Sequence, residues 1–429
     1  MSEATDQVEI PAEIPGVAVN YPRDGLPHVI ETDAQLAHAV ASLALGTGPV
    51  AVDAERASGF RYSQRAYLIQ IRRAGSGTHM IDPTGLTTLQ PLQEVLEGVD
   101  WILHAASQDL VCLAEAGLTP TAQLFDTELA GRLLGRPRVG LGTLLHTDLG
   151  YILAKEHSAA DWSTRPLPES WLVYAALDVE FLLELWEVMS ADLRATGKYE
   201  WAIQEFDHVH RNTAPIVRTD PWRRTSGMHA LKKPAQLAIV RALWEARDEL
   251  AARKDIAPGR VLPDSTIVSL AGSPMDQNTN LDALPALRTR QVRRHVEVWI
   301  KAIEKALQLP SSDYPPVKIG QTGPPNPRNW VTRSPQAWAR LEFARAKISE
   351  LAEVLCMPPE NLISPDAIRR TMWEPPALDE MASFLSELKV RTWQQQQVVP
   401  IFAEAISIVS AQNTGHKQLQ IDQLPETTE

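Results

Sequence analysis

Past an acidic start, apolar residues come first in short runs, the pattern of strands. HVIE (28–31), VAVDAE (50–55), AYLIQIRR (66–73) and THMID (78–82) read as strands, with WILHA (101–105) and LFDT (124–127) as shorter ones. Between and after them the spacing lengthens to that of helices. DAQLAHAVASLAL (33–45) starts at a polar Thr32 or Asp33, and LTTLQPLQEVLEG, SQDLVCLAEAG and ELAGRLLG follow. ESWLVYAALDVEFLLELWEVMSADLRATG (169–197) reads as one long helical stretch. Three consecutive strands followed by alternating helix and strand predict an α/β domain with a mixed sheet.

From about residue 211 the strand pattern fades. QLAIVRALWEARDELAARKD (236–255), STIVSLAG and RTRQVRRHVEVWIKAIEKAL (288–307) are helical, and the last is amphipathic. LPSSDYPPVKIGQTGPPNPRNW (309–330) is dense in Pro and Gly and reads as an extended linker. Beyond it a pattern recurs. ELAARKDIAPGRVLPDSTI at 249–267 lies over ELAEVLCMPPENLISPDAI at 350–368, with a one-residue insertion before Pro365-Asp366. A small helical module is thus duplicated, with an Asp in each copy placed to cap the next helix. The expected division is a flexible leader (1–25), an α/β domain (26–210), a helical domain (211–308), the linker (309–330), a second helical domain (331–413) and a flexible tail (414–429).

Composition changes this picture little. The 429 residues suit two to three domains, and 44% hydrophobic with 22% charged residues suits a folded protein. No apolar run approaches the roughly 18 residues of a membrane span, and the N-terminus lacks a basic region followed by an apolar core. Cys112 and Cys356 form neither a zinc motif nor a disulfide framework. The expectation is a cytoplasmic protein in a reducing compartment. Charge is more informative. The net −12 argues against a polyanion partner, yet residues 211–305 hold 17 Lys+Arg against 10 Asp+Glu, and the remainder 24 against 43. A basic middle sits between acidic ends, which fits either a phosphate-binding surface or solvated helices.

Three sites carry candidate chemistry. Asp53 and Glu55 are i and i+2 on one strand, so they share a face. At a sheet edge they would rest in water or pair with Arg56 or Arg65. Asp109 opens a helix, where a carboxylate is also an ordinary stabilising device. Tyr174 and Asp178 are i and i+4 on one helical face. They form a buried hydrogen bond or something more, since Asp is rare in so apolar a helix.

Taken in order, these residues resemble the DEDD exonuclease superfamily in its tyrosine variant, and more closely the ribonuclease D family. Asp53 and Glu55 match its D-x-E motif, Asp109 its second aspartate, and Tyr174 with Asp178 its Y-x-x-x-D. YLIQI, LFDTELA and DWSTRPL fit as well, and the helical repeats resemble HRDC (helicase and ribonuclease D C-terminal) domains. The resemblance runs from residue 28 to about 412. It implies a ribonuclease H-like exonuclease domain, a mixed sheet flanked by helices, followed by two all-α HRDC-type domains. It implies two divalent cations, Mg2+ or Mn2+, since hard cations prefer oxygen ligands. By analogy Asp53 bridges both, Glu55 and Asp178 complete the water-activating site, Asp109 serves the second, and Tyr174 orients the attacking water.

The implied activity is 3′→5′ exoribonuclease action releasing nucleoside 5′-monophosphates, in tRNA 3′ processing or structured RNA turnover. The partner is RNA with a free 3′ end, no membrane is involved, and a monomer is the favoured assembly. Arg223, Arg224, Lys232, Lys233, Arg253, Lys254, Arg293 and Arg294 are the candidate phosphate contacts. Trp222 and Trp330 are either base-stacking platforms or core residues. Two rivals stand beside this reading: a DNA-directed exonuclease, which the carboxylates do not distinguish, and a catalytically inactive nucleic-acid-binding protein, against which all five motif positions count.

Overall fold

The computed structural model describes residues 16–153, 160–213, 218–275, 279–281, 284–318, 320 and 323–421, with side chains to residue 408 except that of Gln291. Eight strands occur among them: β1 (Val17–Val19), β2 (Val29–Ile30), β3 (Thr47–Arg56), β4 (Ala66–Ala74), β5 (Gly77–Ile81), β6 (Trp101–Leu103), β7 (Leu124–Asp126) and β8 (Tyr151–Leu153). Six form one sheet in the order β2-β5-β4-β3-β6-β7. β3 is central, antiparallel to β4 and parallel to β6. Its apolar stretch Val50–Val52 is fully buried, as a strand covered on both faces must be. Pairing with β6 covers Val50 and Ala51, so Asp53 and Glu55 lie beyond it, at the carboxyl end of β3.

Helices α1 (Asp33–Leu45), α2 (Gln90–Val95), α3 (Leu110–Glu115), α4 (Thr127–Leu133) and α5 (Leu141–Leu144) connect these strands. Thr32 caps α1 through a capping box with Gln35. The single helix expected over 169–197 is two, α6 (Glu169–Glu180) and α7 (Leu182–Ala195). The break turns Phe181 into the core and gives the buried Glu180 to Arg23, which pairs with Glu180 and Glu184 and lies over the Phe181 ring. Arg23 and β1, paired with β8, show that the leader is structured from Val17 onward rather than from residue 26. Residues 1–15 lie outside the described residues.

The first helical module comprises α9 (Pro234–Lys254), α10 (Pro258–Val261), α11 (Asp264–Gly272), α12 (Arg290–Arg293) and α13 (Val296–Leu307), preceded by α8 (Tyr199–Arg211), which ends the α/β part. The helix expected over 288–307 breaks between α12 and α13, where the Trp299 indole donates to the Val292 carbonyl. The second module runs through α14 (Trp330–Arg333), α15 (Pro335–Val354), α16 (Pro359–Leu362), α17 (Pro365–Trp373), α18 (Met381–Glu387) and α19 (Thr392–Ile421). The duplication is visible in the elements: α9, α10 and α11 have 21, 4 and 9 residues, and α15, α16 and α17 have 20, 4 and 9. Asp255 and Cys356, three residues before each short helix, both take left-handed backbone, φ 47° and 46°. Neither expected Asp cap forms. Asp264 instead pairs with Arg247 and accepts from the Ser226 N–H, while Ser364 caps α17 and leaves Asp366 to Arg369 and Arg370. In the expected tail, α19 continues to Ile421, and residues 422–429 lie outside the described residues.

The two modules dock differently. The first has its own core around Trp222, Leu243 and Trp299. It touches the loop after β3 through hydrogen bonds that include Ala257 N–H to Phe60 O, Tyr62 hydroxyl to Asp248, Ser63 N–H to Asp255 and Arg260 to Gly59 O. The second shares one continuous apolar core with the α/β domain. Trp393 stacks on Trp201 of α8 at 4.8 Å, and Arg391 neutralises the buried Glu205. Lys198 donates to the carbonyls of Leu133 and Leu355. Gly135 completes this contact: its φ is +71°, and a Cβ there would lie 2.1 Å from the Cys356 carbonyl oxygen.

Candidate active site

Four carboxylates come from three places. β3 supplies Asp53 and Glu55, Asp109 immediately precedes α3, and α6 packs across β3, β4 and β5 and presents Asp178. Ligand oxygens of Asp53, Glu55 and Asp178 lie within 4.8 Å of one another. Asp109 is buried, makes no capping hydrogen bond at the start of α3, and faces Asp53 closely enough to feel its charge. Asp109 thus does not spend its oxygens on capping the helix. Tyr174 and Asp178 share a hydrogen bond along α6, and Trp162 flanks the tyrosine ring.

Burial and mutual repulsion set the electrostatics. Asp53 is pushed up to about 6 by burial, against which the Ala54 N–H and Arg56 act. Glu55 is pushed up to about 10, by burial first and then by Asp53, Asp178 and Asp109. Burial and the Asp53 charge raise Asp109 and Asp178 well above the usual carboxylate range. Tyr174 is raised by burial and then by Asp178 and Glu55, so its hydroxyl keeps its proton at neutral pH and acts as a donor. Carboxylates so placed hold protons or cations. The donors are all hard oxygens, a set that suits hard divalent cations.

Two supporting residues were not anticipated, and Arg56, expected beside Asp53 and Glu55, finds another partner. Gln70, fully buried opposite Asp53 on β4, donates through its amide to Asp53 Oδ2 (3.1 Å) and to the Asp53 carbonyl (2.8 Å). Its signal was an amide inside the apolar run YLIQI. Asp126 accepts from the N–H groups of Ala105, Ala106, Glu128 and Leu129. It thereby holds the turn that aims Asp109, where Ala105 has φ 55°. Arg56 pairs with Asp109 at 3.7 Å, whereas Arg65 lies over the Tyr67 ring.

The eight basic candidates do not form one patch. Arg294 lines a pocket of about 320 Å³ with Arg260, Arg290 and His295, and Lys254 lies 3.3 Å from that histidine. Among the described residues no carboxylate lines it, and burial followed by the charges of Lys254, Arg294 and Arg253 depresses His295. Arg253 faces the groove between α9 and α13 with Arg241, Lys301 and Lys305. Arg223 is engaged by Asp220 and the Trp222 ring, and Lys232 donates to the His229 carbonyl. Arg224, Lys233 and Arg293 are exposed. Trp222 and Trp330 are core residues, 2% and 0% exposed, which removes them as stacking platforms.

Residues 27–194 match a family described as 3′-5′ exonuclease, residues 236–303 the HRDC domain, and residues 323–406 a family described as 3′ to 5′ exonuclease C-terminal domain. Among curated proteins, the chain is similar to ribonuclease D of Jannaschia sp., 32% identical over 311 residues covering 69% of this chain and 78% of that one. Ribonuclease D of Escherichia coli K12 is 30% identical over 271 residues, 62% of this chain and 71% of that one. A crystal structure of a Bifidobacterium adolescentis protein superposes with TM-score 0.84 at 36% identity, over 91% of this chain and 100% of that chain. The Escherichia coli RNase D structure, described as an exoribonuclease involved in structured RNA processing, shares the fold with TM-score 0.63 at 24% identity, over 86% and 98% of the two chains.

Proposed function

Since the chain belongs to the ribonuclease D family of 3′-5′ exonucleases, we propose that its substrate is RNA with a free 3′ end, from which it releases nucleoside 5′-monophosphates during tRNA 3′ processing or structured RNA turnover. The observation that carries the chemistry is the convergence of Asp53, Glu55 and Asp178 within 4.8 Å, with Asp109 beside Asp53. These four residues would hold divalent cations, which when bound supply Lewis acidity and an acidified water. The chain's own groups do the rest. Gln70 fixes the Asp53 carboxylate, and Asp126 fixes the turn before Asp109. Tyr174 stays protonated and donates its one O–H to Asp178, so its oxygen orients the attacking water by accepting a hydrogen bond from it rather than by removing its proton. The pocket of Arg260, Arg290, Arg294 and His295 offers positive potential to the RNA strand, reading phosphates rather than bases.

A time course on 3′- and 5′-labelled RNA and matched DNA, with Mg2+, Mn2+ or EDTA, tests the reading. Stepwise loss of the 3′ label from RNA, stopped by EDTA, is the expected result. Faster digestion of DNA would reassign the substrate. An inactive wild-type chain with intact RNA binding would favour the non-catalytic alternative. Asp53→Ala and Asp109→Ala should abolish hydrolysis while RNA binding persists.

A further inference from the structure

Arg56 stands where strand alternation does not place it. Successive residues of a strand face opposite sides, so Arg56 belongs on the face away from Asp53 and Glu55. Yet its guanidinium reaches Asp109 Oδ1 at 3.7 Å and exerts its charge on Asp53 and Glu55 as well. The strand end is irregular there: Glu55 pairs with Leu68 and Arg56 with Ala66, so Tyr67 of β4 is an extra residue opposite this step. Such bulges sharpen the local twist and re-aim side chains beside active sites. The pair is also loose. A charge-assisted hydrogen bond spans about 2.7–2.9 Å, so 3.7 Å is Coulombic contact without a locked fork. Both partners are largely buried, at 26% and 9% side-chain exposure, so the charge is little screened.

We propose that Arg56 is a resident counter-cation of the carboxylate cluster, which a divalent cation displaces from Asp109 and which then binds the phosphodiester of the incoming strand. This rests on the exonuclease reading of the site but not on which nucleic acid is cut. A guanidinium and a divalent cation compete for the same carboxylate oxygens. Once released, the guanidinium remains beside the carboxylate cluster at which a phosphodiester would be cut, and its planar fork suits a phosphate. Cation loading and substrate binding are thereby coupled through one side chain.

The test uses the full chain and Mn2+ alone, by calorimetry without nucleic acid. Arg56→Gln removes the competitor and is expected to bind Mn2+ about tenfold more tightly, about 1.4 kcal/mol. At saturating Mn2+ the same variant is expected to raise KM for a 3′-labelled RNA by about tenfold or more. Arg56→Lys keeps the charge without the fork and should fall between on both readouts. It also serves if Gln at 56 lowers the yield of folded protein. In an Asp109→Asn background, Arg56→Gln should tighten Mn2+ binding by clearly less than tenfold, because the contested carboxylate is gone and only the charge of Arg56 near Asp53 and Glu55 remains to be relieved. Unchanged or weaker Mn2+ binding by Arg56→Gln overturns the proposal, as does a wild-type KM. A wild-type chain that cuts neither RNA nor DNA counts instead against the exonuclease reading and leaves the Mn2+ comparison standing.

Discussion

Glu55→Gln is expected to stabilise the metal-free protein at neutral and alkaline pH. Glu55 is 8% exposed and is pushed from an ordinary 4.5 to about 10. A carboxyl raised in this way keeps its proton in the native chain after the unfolded chain has lost it. Its contribution to stability is full below the unfolded value and falls as pH rises toward the native one. The loss is about 1.4 kcal/mol per pH unit, so ~4 kcal/mol by about pH 7.5 is its ceiling. Direct repulsion has the same size. Two ionised carboxylates 4.8 Å apart repel by about 3 kcal/mol at an effective dielectric of about 20. Gln keeps the shape, carries no charge, and finds acceptors in Asp53 and Asp178. In EDTA at about pH 7.5 the variant should gain ~2–4 kcal/mol, a rise in Tm of roughly 5–15 °C for the α/β domain. At about pH 5 the gain should shrink below ~1 kcal/mol. Mg2+ or Mn2+ should raise the wild-type Tm and do much less for the variant, which has lost a ligand. Scanning calorimetry from acid to alkaline pH, with and without metal, reads all of this. A variant that is less stable than wild type in EDTA at pH about 7.5, or equally favoured at both pH values, would refute the account of Glu55 as a carboxyl raised by burial and by its acidic neighbours.

Tyr174→Phe keeps the ring against Trp162 and removes the hydroxyl, so kcat should fall by about 100-fold or more with Tm nearly unchanged; a wild-type rate removes Tyr174 from the chemistry. The double change Lys254→Gln with Arg294→Gln should weaken RNA binding alike across sequences. It should also reduce the slope of log affinity against log salt by about 1.4, and an unaltered slope would take the pocket out of the RNA path. Asp126→Ala leaves four backbone N–H groups without their acceptor, and a cost of ~3–5 kcal/mol should appear as a lower Tm together with lost activity. A wild-type Tm would mean that the Ala105 turn stands without it.

The sequence by itself determined the carboxylates, the strands that carry them and the repeated module. D-x-E on a strand and Y-x-x-x-D on a helix are local patterns, and their geometry follows from periods of two and 3.6 residues. The repeat was legible for the same reason, since each copy builds its helices from its own residues. What only the tertiary structure decided lies where distant segments meet. Helix α8 went unanticipated because its buried face includes Glu205, tolerated because Arg391 and the Trp393 indole come back from 186 and 188 residues away. Phe181 and Arg23 end the helix expected to run to 197, and they also order the chain from Val17. Gln70 and Asp126 looked like part of a strand and a strand end. Their roles depend on Asp53 lying across the sheet from one, and on the Ala105 turn lying beside the other. Arg56, which the sequence offered as a partner for Asp53 or Glu55, pairs instead with Asp109. Alternation along β3 sends it away from the acids, whereas the bulge opposite it and the placement of Asp109 bring it back. Local spacing sets which way a residue faces within its own element, but a partner's position depends on how elements pack, and that is where this site acquires its charge balance.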